Sequence, residues 1–187
     1  MRADARRNRQ RLLDAALQVY AERGADDASL DEIARRAGVG IGTLYRHFPT
    51  RQALLEAVYR DQVEELCATA RELAGQTPPG QALERWLRAL MAFATTKKNL
   101  STALMSGPDK SEVAMSCSTM VREAAAGLLA EAQRTGQVRG DVDVVDLLRM
   151  SHALAIAADM PHSHPDQGER LMSVLLDGLR PQPPGQS

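Results

Sequence analysis

The sequence predicts an all-α protein: an N-terminal three-helix domain built on a helix-turn-helix, then a larger helical domain, about nine helices in all. Three observations carry that prediction. Apolar residues recur at threes and fours through nearly the whole chain, no segment shows the two-residue alternation of a strand, and glycines and prolines fall between the periodic segments. With 187 residues, 44% of them apolar, the chain is long enough to bury a core without disulfides.

Taken in order, residues 6–23 place Leu13, Ala16, Leu17 and Tyr20 on one helical face, with Gly24 where a left-handed C-terminus would fall. Ser29-Leu30-Asp31-Glu32 reads as a capping box, the serine oxygen accepting from the amide three residues on and the glutamate reaching back to the cap. The second helix therefore starts at Leu30, and Gly38 breaks it. A third short helix over residues 41–48 is stopped by Pro49. Thr50 caps a long fourth helix carrying Leu54, Leu55, Val58, Tyr59, Val63, Leu66 and Leu73, which the Gly- and Pro-rich segment 75–80 ends. Further helices are expected over residues 81–96, 99–105, 111–135, 142–160 and 166–179, and a disordered tail over 181–187. The expected domains are residues 1–50 and 51–180.

The net charge of −1 hides an uneven distribution. Residues 1–60 carry 11 arginines, no lysine and 8 acidic residues, giving +3; residues 61–187 carry 12 basic and 16 acidic residues, giving −4. Tyr20, Tyr45, Phe48 and Tyr59 lie in the first stretch, leaving only Trp86 and Phe93 in the second. The two stretches are built for different work. Two cysteines, Cys67 and Cys117, are too few for a disulfide framework and wrongly spaced for structural zinc, so a reducing cytoplasm is the expected location. No run approaches the roughly 18 apolar residues of a membrane span, and no apolar stretch follows the arginine-rich start as in a secretion signal. A phosphate-cradling glycine loop, a nucleophile elbow and a His-Glu-x-x-His zinc signature are all absent, so no enzyme and no cofactor is expected.

Helices two and three form a helix-turn-helix if a small residue stands where they cross and a glycine at the turn. Ala34 and Gly38 meet both conditions, with Ile33, Ala37, Val39 and Leu44 as the buried positions between them. The run from Ser29 to Phe48, above all Gly42-Thr43-Leu44-Tyr45 and His47-Phe48, followed by Pro49-Thr50-Arg51-Gln52-Ala53-Leu54-Leu55, resembles the signature of the TetR family of transcriptional regulators. The match covers about residues 8–60; the remainder agrees in length and helical plan. The resemblance implies a homodimeric DNA-binding regulator, usually a repressor, released from a palindromic operator by a small molecule bound in the C-terminal domain. A transcriptional activator or a ligand-independent regulator of the same fold stays open, as, more remotely, does a helical enzyme without a recognisable motif.

The recognition helix gives this a physical basis. Leu44 and Phe48, at i and i+4, point inward, which leaves Thr43, Tyr45, Arg46 and His47 on outer faces with groups that donate to phosphates. By the resemblance, Thr43, Tyr45 and His47 match positions that contact the DNA backbone, and Arg51 matches a basic position doing the same at the start of helix four. Gly42 lets the helix backbone approach the groove. Family members often carry polar residues where this chain has Gly40 and Ile41; Ile41 can only touch a thymine methyl, so base-specific hydrogen bonds are expected to be sparse and selectivity to rest on Arg46, the N-terminal arginines and DNA shape. The run Arg2, Arg6, Arg7, Arg9 and Arg11 reads as a phosphate or minor-groove arm, and Arg6, Arg7 and Ser29 complete the expected DNA-binding set.

In the C-terminal stretch, methionines suit a pocket for apolar ligands of varied shape, or else fill a core. Met91, Met105 and Met120 are the expected pocket residues, since helices five to seven enclose the cavity in relatives; Trp86 and Phe93 would add an aromatic wall, Arg122 a cation and His152 a hydrogen-bonding tip. His162 and His164, between Asp159 and Asp166, lack a metal-site spacing and read as a solvated loop, so no metal is expected. The last two helices are expected to pair with their mates in a four-helix dimer interface through Val144, Leu147, Leu148, Ser151, Leu154, Ala155 and Ala158, then Leu171, Val174, Leu175 and Leu179. A twofold dimer sets two recognition helices about one DNA turn, roughly 34 Å, apart.

Overall fold

A computed structural model of the protein describes residues 2–96, 98–105, 112–160, 164 and 166–181. Among them it forms nine helices and no strand: α1 (Arg2–Arg23), α2 (Leu30–Ala37), α3 (Ile41–His47), α4 (Arg51–Gln76), α5 (Pro79–Thr96), α6 (Lys98–Met105), α7 (Glu112–Arg134), α8 (Val144–Ala158) and α9 (Gln167–Gly178). The all-α expectation is met.

Local chemistry sets the boundaries. The Ser29 Oγ accepts from the Glu32 amide at 3.4 Å and the Thr50 Oγ1 from the Ala53 amide at 3.0 Å, so both expected caps form. The capping box closes on one side only. Glu32 pairs instead with Arg36 at 2.6 Å and Arg23 at 2.9 Å, because two full positive charges attract its carboxylate more than one amide dipole does. Gly38 ends α2 at φ 66°, and the Val39 amide returns to the Ala34 carbonyl at 3.0 Å. α1 begins at Arg2 rather than at residue 6: its first residues are alanines and arginines, good helix formers, with Asp4 in the first turn. α4 runs through Gly75 to Gln76 rather than ending before it, and Pro79 opens α5, a position where its missing amide costs nothing. The tail residues 182–187 lie outside the described residues.

The chain divides into two compact units, and the division does not follow the boundary expected at residue 50. The first unit is residues 1–64 with 96–117, the second 65–95 with 118–187. The reason is burial: Leu54, Leu55 and Val58 of α4, with Leu100 and Leu104 of α6, belong to the same core as Leu12, Leu13, Tyr20, Ile33, Leu44 and Phe48. The second core gathers Leu66, Leu83, Trp86 and Leu87 with Leu128, Leu129, Leu147, Met172 and Leu175. No described helix is long and apolar enough to cross a membrane.

Candidate functional site

α3 shows two faces. Leu44 and Phe48 are buried, while Ile41, Gly42, Tyr45 and Arg46 are exposed and Thr43 and His47 half-buried. Tyr45, 49% exposed, spends a large aromatic ring on solvent, which a purely structural tyrosine seldom does. The face therefore offers hydroxyl, phenol, guanidinium and imidazole groups together.

The helices beneath hold that face in place. Arg36 of α2 bonds both carboxylate oxygens of Glu22 on α1 at 2.7 Å, a bidentate pair, and Glu32 within its own helix. The bond to Arg36 holds the Glu22 carboxyl below the usual carboxylate range and pushes the Arg36 guanidinium up. Tyr20 lies in the core with no hydrogen-bond partner for its hydroxyl among the described residues, and burial pushes the phenol up to about 12, against the opposing charge of Arg51.

The N-terminal arginines read as a phosphate or minor-groove arm lie on α1. Arg6 and Arg7 are exposed, Arg7 pairing with Asp4. Two others, whose placement the sequence reading missed, turn onto the motif. The Arg9 guanidinium sits 5.6 Å from the centroid of the Phe48 ring at the end of α3, and the Arg11 Nη2 stands 2.5 Å from where a Cβ at position 38 would be. The only sequence signal was their place beside Leu12 and Leu13, Arg9 one turn before them and Arg11 immediately before Leu12. Ser29 acts as the α2 cap. The Arg51 Nη1 donates to the Ala28 carbonyl at 2.5 Å and to the Ala25 carbonyl at 3.2 Å, tying α4 to the loop before α2.

Profile comparison decides the family. A model described as "Bacterial regulatory proteins, tetR family" matches residues 12–58, and one described as "Transcriptional regulator SbtR-like, C-terminal domain" matches residues 78–181, more than half of the chain. The chain belongs to the TetR family of transcriptional regulators. Such proteins are DNA-binding regulators and not enzymes. This TetR-family chain is similar to a solved regulator from Mycobacterium vanbaalenii, with 41% identity over 96% of this chain and 98% of that one and a TM-score of 0.78. A TetR regulator from Streptomyces coelicolor is similar at 39% identity over 94% and 99%, TM-score 0.77. Among curated proteins, the uncharacterized helix-turn-helix regulator TtgW of Pseudomonas putida shares 50% identity over 56 residues, 30% of this chain and 42% of that protein. The chain thus spans less than half the length of that relative.

In the second unit of this TetR-family chain the expected pocket residues scatter. Trp86 is fully buried, its indole Nε1 donating to the Leu66 carbonyl at 3.1 Å, and Met91 and Phe93 pack half-buried against the same core. Arg122 and His152 are exposed. The side chain of Met105 and the residue His162 lie outside the described residues. Met120 lines a cleft of about 430 Å³ between α4 and α7. α4 contributes Cys67, Ala70, Arg71 and Ala74, and α7 adds Glu123, Ala124, Gly127 and Leu128. Small residues at helical spacing were the available signal. Among the described residues no three metal-ligating side chains cluster; the His164 Nδ1 stands 3.6 Å from the Asp166 carboxylate.

Proposed function

We propose that the chain is a homodimeric transcriptional regulator that binds a palindromic operator through α3 and is released from it by a small molecule held in the second unit, acting as a repressor. The observation that carries this is the exposed face of α3, with Thr43, Tyr45, Arg46 and His47 turned outward over a buried Leu44 and Phe48. Tyr45, Arg46 and His47 contact phosphates, with Thr43 beside them; Ile41 and Gly42 meet the groove, and Arg6 and Arg7 extend the cationic surface along α1. Ser29 and Arg51 support the motif through the bonds described, and the outward hydrogens of the Arg51 guanidinium are available to a phosphate.

The dimer forms through α8 and α9, on faces that keep Val174 from the set read in the sequence and add Met150, Ile156 and Met160. Leu147, Ser151, Ala155, Leu175 and Leu179 are buried within the second unit itself. Solvent instead meets Met150 (52% exposed) and Ile156 (55%) on α8, Met160 (60%) just beyond its end, and Val174 (71%) on α9. That much exposed apolar surface on two successive helices supports a covered interface.

Small molecules are seen in proteins of this fold: a regulator from Bacillus subtilis in complex with stearoyl-CoA, at 17% identity and TM-score 0.67, and one in complex with resorcinol, at 22% and 0.62. α4 has residues in both units, so it is the element through which a ligand would act on operator affinity, by roughly 1 to 3 kcal/mol. Footprinting upstream of the protein's own gene, with and without candidate ligands, tests the reading. Protection of a palindrome that a ligand abolishes is expected; the absence of any protected site would refute it.

A further inference from the structure

The cleft between α4 and α7 has an apolar floor and a charged mouth. Ala70 and Leu128 are buried at its base, with Met120 and Ala124 half-buried beside them. Space exists there because alanines occupy positions where two helices in contact usually carry larger side chains. Arg71 on α4 and Glu123 on α7 both line the cleft and both are exposed. Neither makes a hydrogen bond or ion pair with a described residue, so no described protein group competes with a ligand for either side chain.

These properties select among ligand classes. A wholly apolar molecule would leave both charges unused. A simple carboxylate would meet Arg71 but face repulsion from Glu123, and a simple amine would meet the converse. A head bearing both signs satisfies both walls while an apolar tail covers the floor. The volume of about 430 Å³ suits a small molecule of this kind. Resting on the reading of the second unit as the ligand-sensing domain, we infer that the α4–α7 cleft binds an amphipathic zwitterion: an α-amino acid with a long apolar side chain, its carboxylate on Arg71, its ammonium on Glu123 and its side chain over Ala70 and Leu128.

Titration calorimetry on the full chain tests this with three eight-carbon probes: 2-aminooctanoic acid, octanoic acid and octylamine. The zwitterion is expected to bind at least tenfold more tightly than either singly charged probe. Arg71→Gln should erase its advantage over octylamine, and Glu123→Gln its advantage over octanoic acid. Ala124→Leu fills the floor and should weaken the zwitterion at least tenfold; Ala74→Leu, at an exposed position, serves if that variant unfolds. Octanoic acid binding as tightly as the zwitterion, no binding of the zwitterion, or unchanged affinity in both charge variants overturns the inference. Operator affinity is measured in the same samples. If the zwitterion binds with this profile but leaves operator affinity unmoved, the cleft assignment stands and the release mechanism falls. If another small molecule releases the operator while 2-aminooctanoic acid does not bind, the reverse holds.

Discussion

The indole Nε1 of Trp86 on α5 donates to the main-chain carbonyl of Leu66 on α4 at 3.1 Å, inside a core where Trp86 has no solvent exposure. The bond satisfies the one polar atom of the largest buried side chain and fixes α5 against α4 within the second unit. Trp86→Phe loses that bond and leaves a void, so unfolding in urea should show a loss of about 1 to 3 kcal/mol. Operator affinity of the folded variant should match the parent.

Arg46 stands free on the outer face of α3 and should act on DNA alone. Arg46→Ala is expected to weaken operator binding by about 1 to 3 kcal/mol and to lower the slope of log affinity against log salt by about one. Tyr45→Phe should show a smaller loss. Anisotropy titrations across salt concentrations read both, and the melting temperature should stay put; a variant that unfolds instead would show that the residue packs inward.

Two glycines of the motif should respond in opposite directions. Gly38 has φ 66° with the Arg11 guanidinium where a Cβ would go, so Gly38→Ala should destabilise by about 1 kcal/mol or more. Nothing stands within 4 Å of a Cβ at Gly42, inside α3, and Gly42→Ala should stabilise the fold by about 0.5 to 1 kcal/mol while weakening operator binding. Thermal denaturation beside a binding titration separates the two effects.

Tyr20 sets an alkaline limit. Its phenol rises from the ordinary value of 10.0 to about 12 in the fold, so the unfolded chain ionises first. Stability is full below pH 10 and falls as the pH climbs from there towards 12. Tyr20→Phe should flatten that decline and, by removing a buried hydroxyl without a partner, leave stability at pH 7 unchanged or higher by about 1 kcal/mol. Glu22 governs the acid side: held below the carboxylate range by Arg36, it contributes above that range and loses its contribution as the pH falls through its lowered value. Glu22→Gln should therefore flatten the acid limb in a pH series of urea midpoints.

Ile156→Glu and Val174→Glu put charges on the exposed apolar faces of α8 and α9. Light scattering should find monomers that keep the parent's helical content, with operator affinity lost because two half-sites must be held together. A dimer that persists in both variants would place the interface elsewhere.

What the sequence made legible was chemistry that acts over a few residues. Ser29, Thr50, Pro49 and Gly38 mark helix ends through their own atoms, and Leu44 and Phe48 fix the inward side of α3 by spacing. Choices settled by distant packing were not legible. Trp86, Met91 and Phe93 sit on an amphipathic helix whose face could line a cavity or a core, and packing with other helices alone sets Trp86 in the core with Met91 and Phe93 half-buried against it. The cleft is hard to read for a related reason: Ala70 and Ala124 create space by lacking bulk, and small residues at helical spacing serve a close helix pair equally well. At the dimer face, Leu147 and Ile156 look equivalent in a list of apolar residues, and burial alone tells them apart.

The presence of Leu100 and Leu104 in the first core bears on how the chain is made. A ribosome that has completed the helix-turn-helix has not yet supplied everything that closes the core beneath it; α6 must follow, after the whole of residues 65–95 has emerged. The DNA-reading unit is therefore not a contiguous cassette. A gene fragment ending at residue 64 would leave the seat of those two leucines open to water, and exchanging reading heads between relatives requires moving two stretches of sequence together.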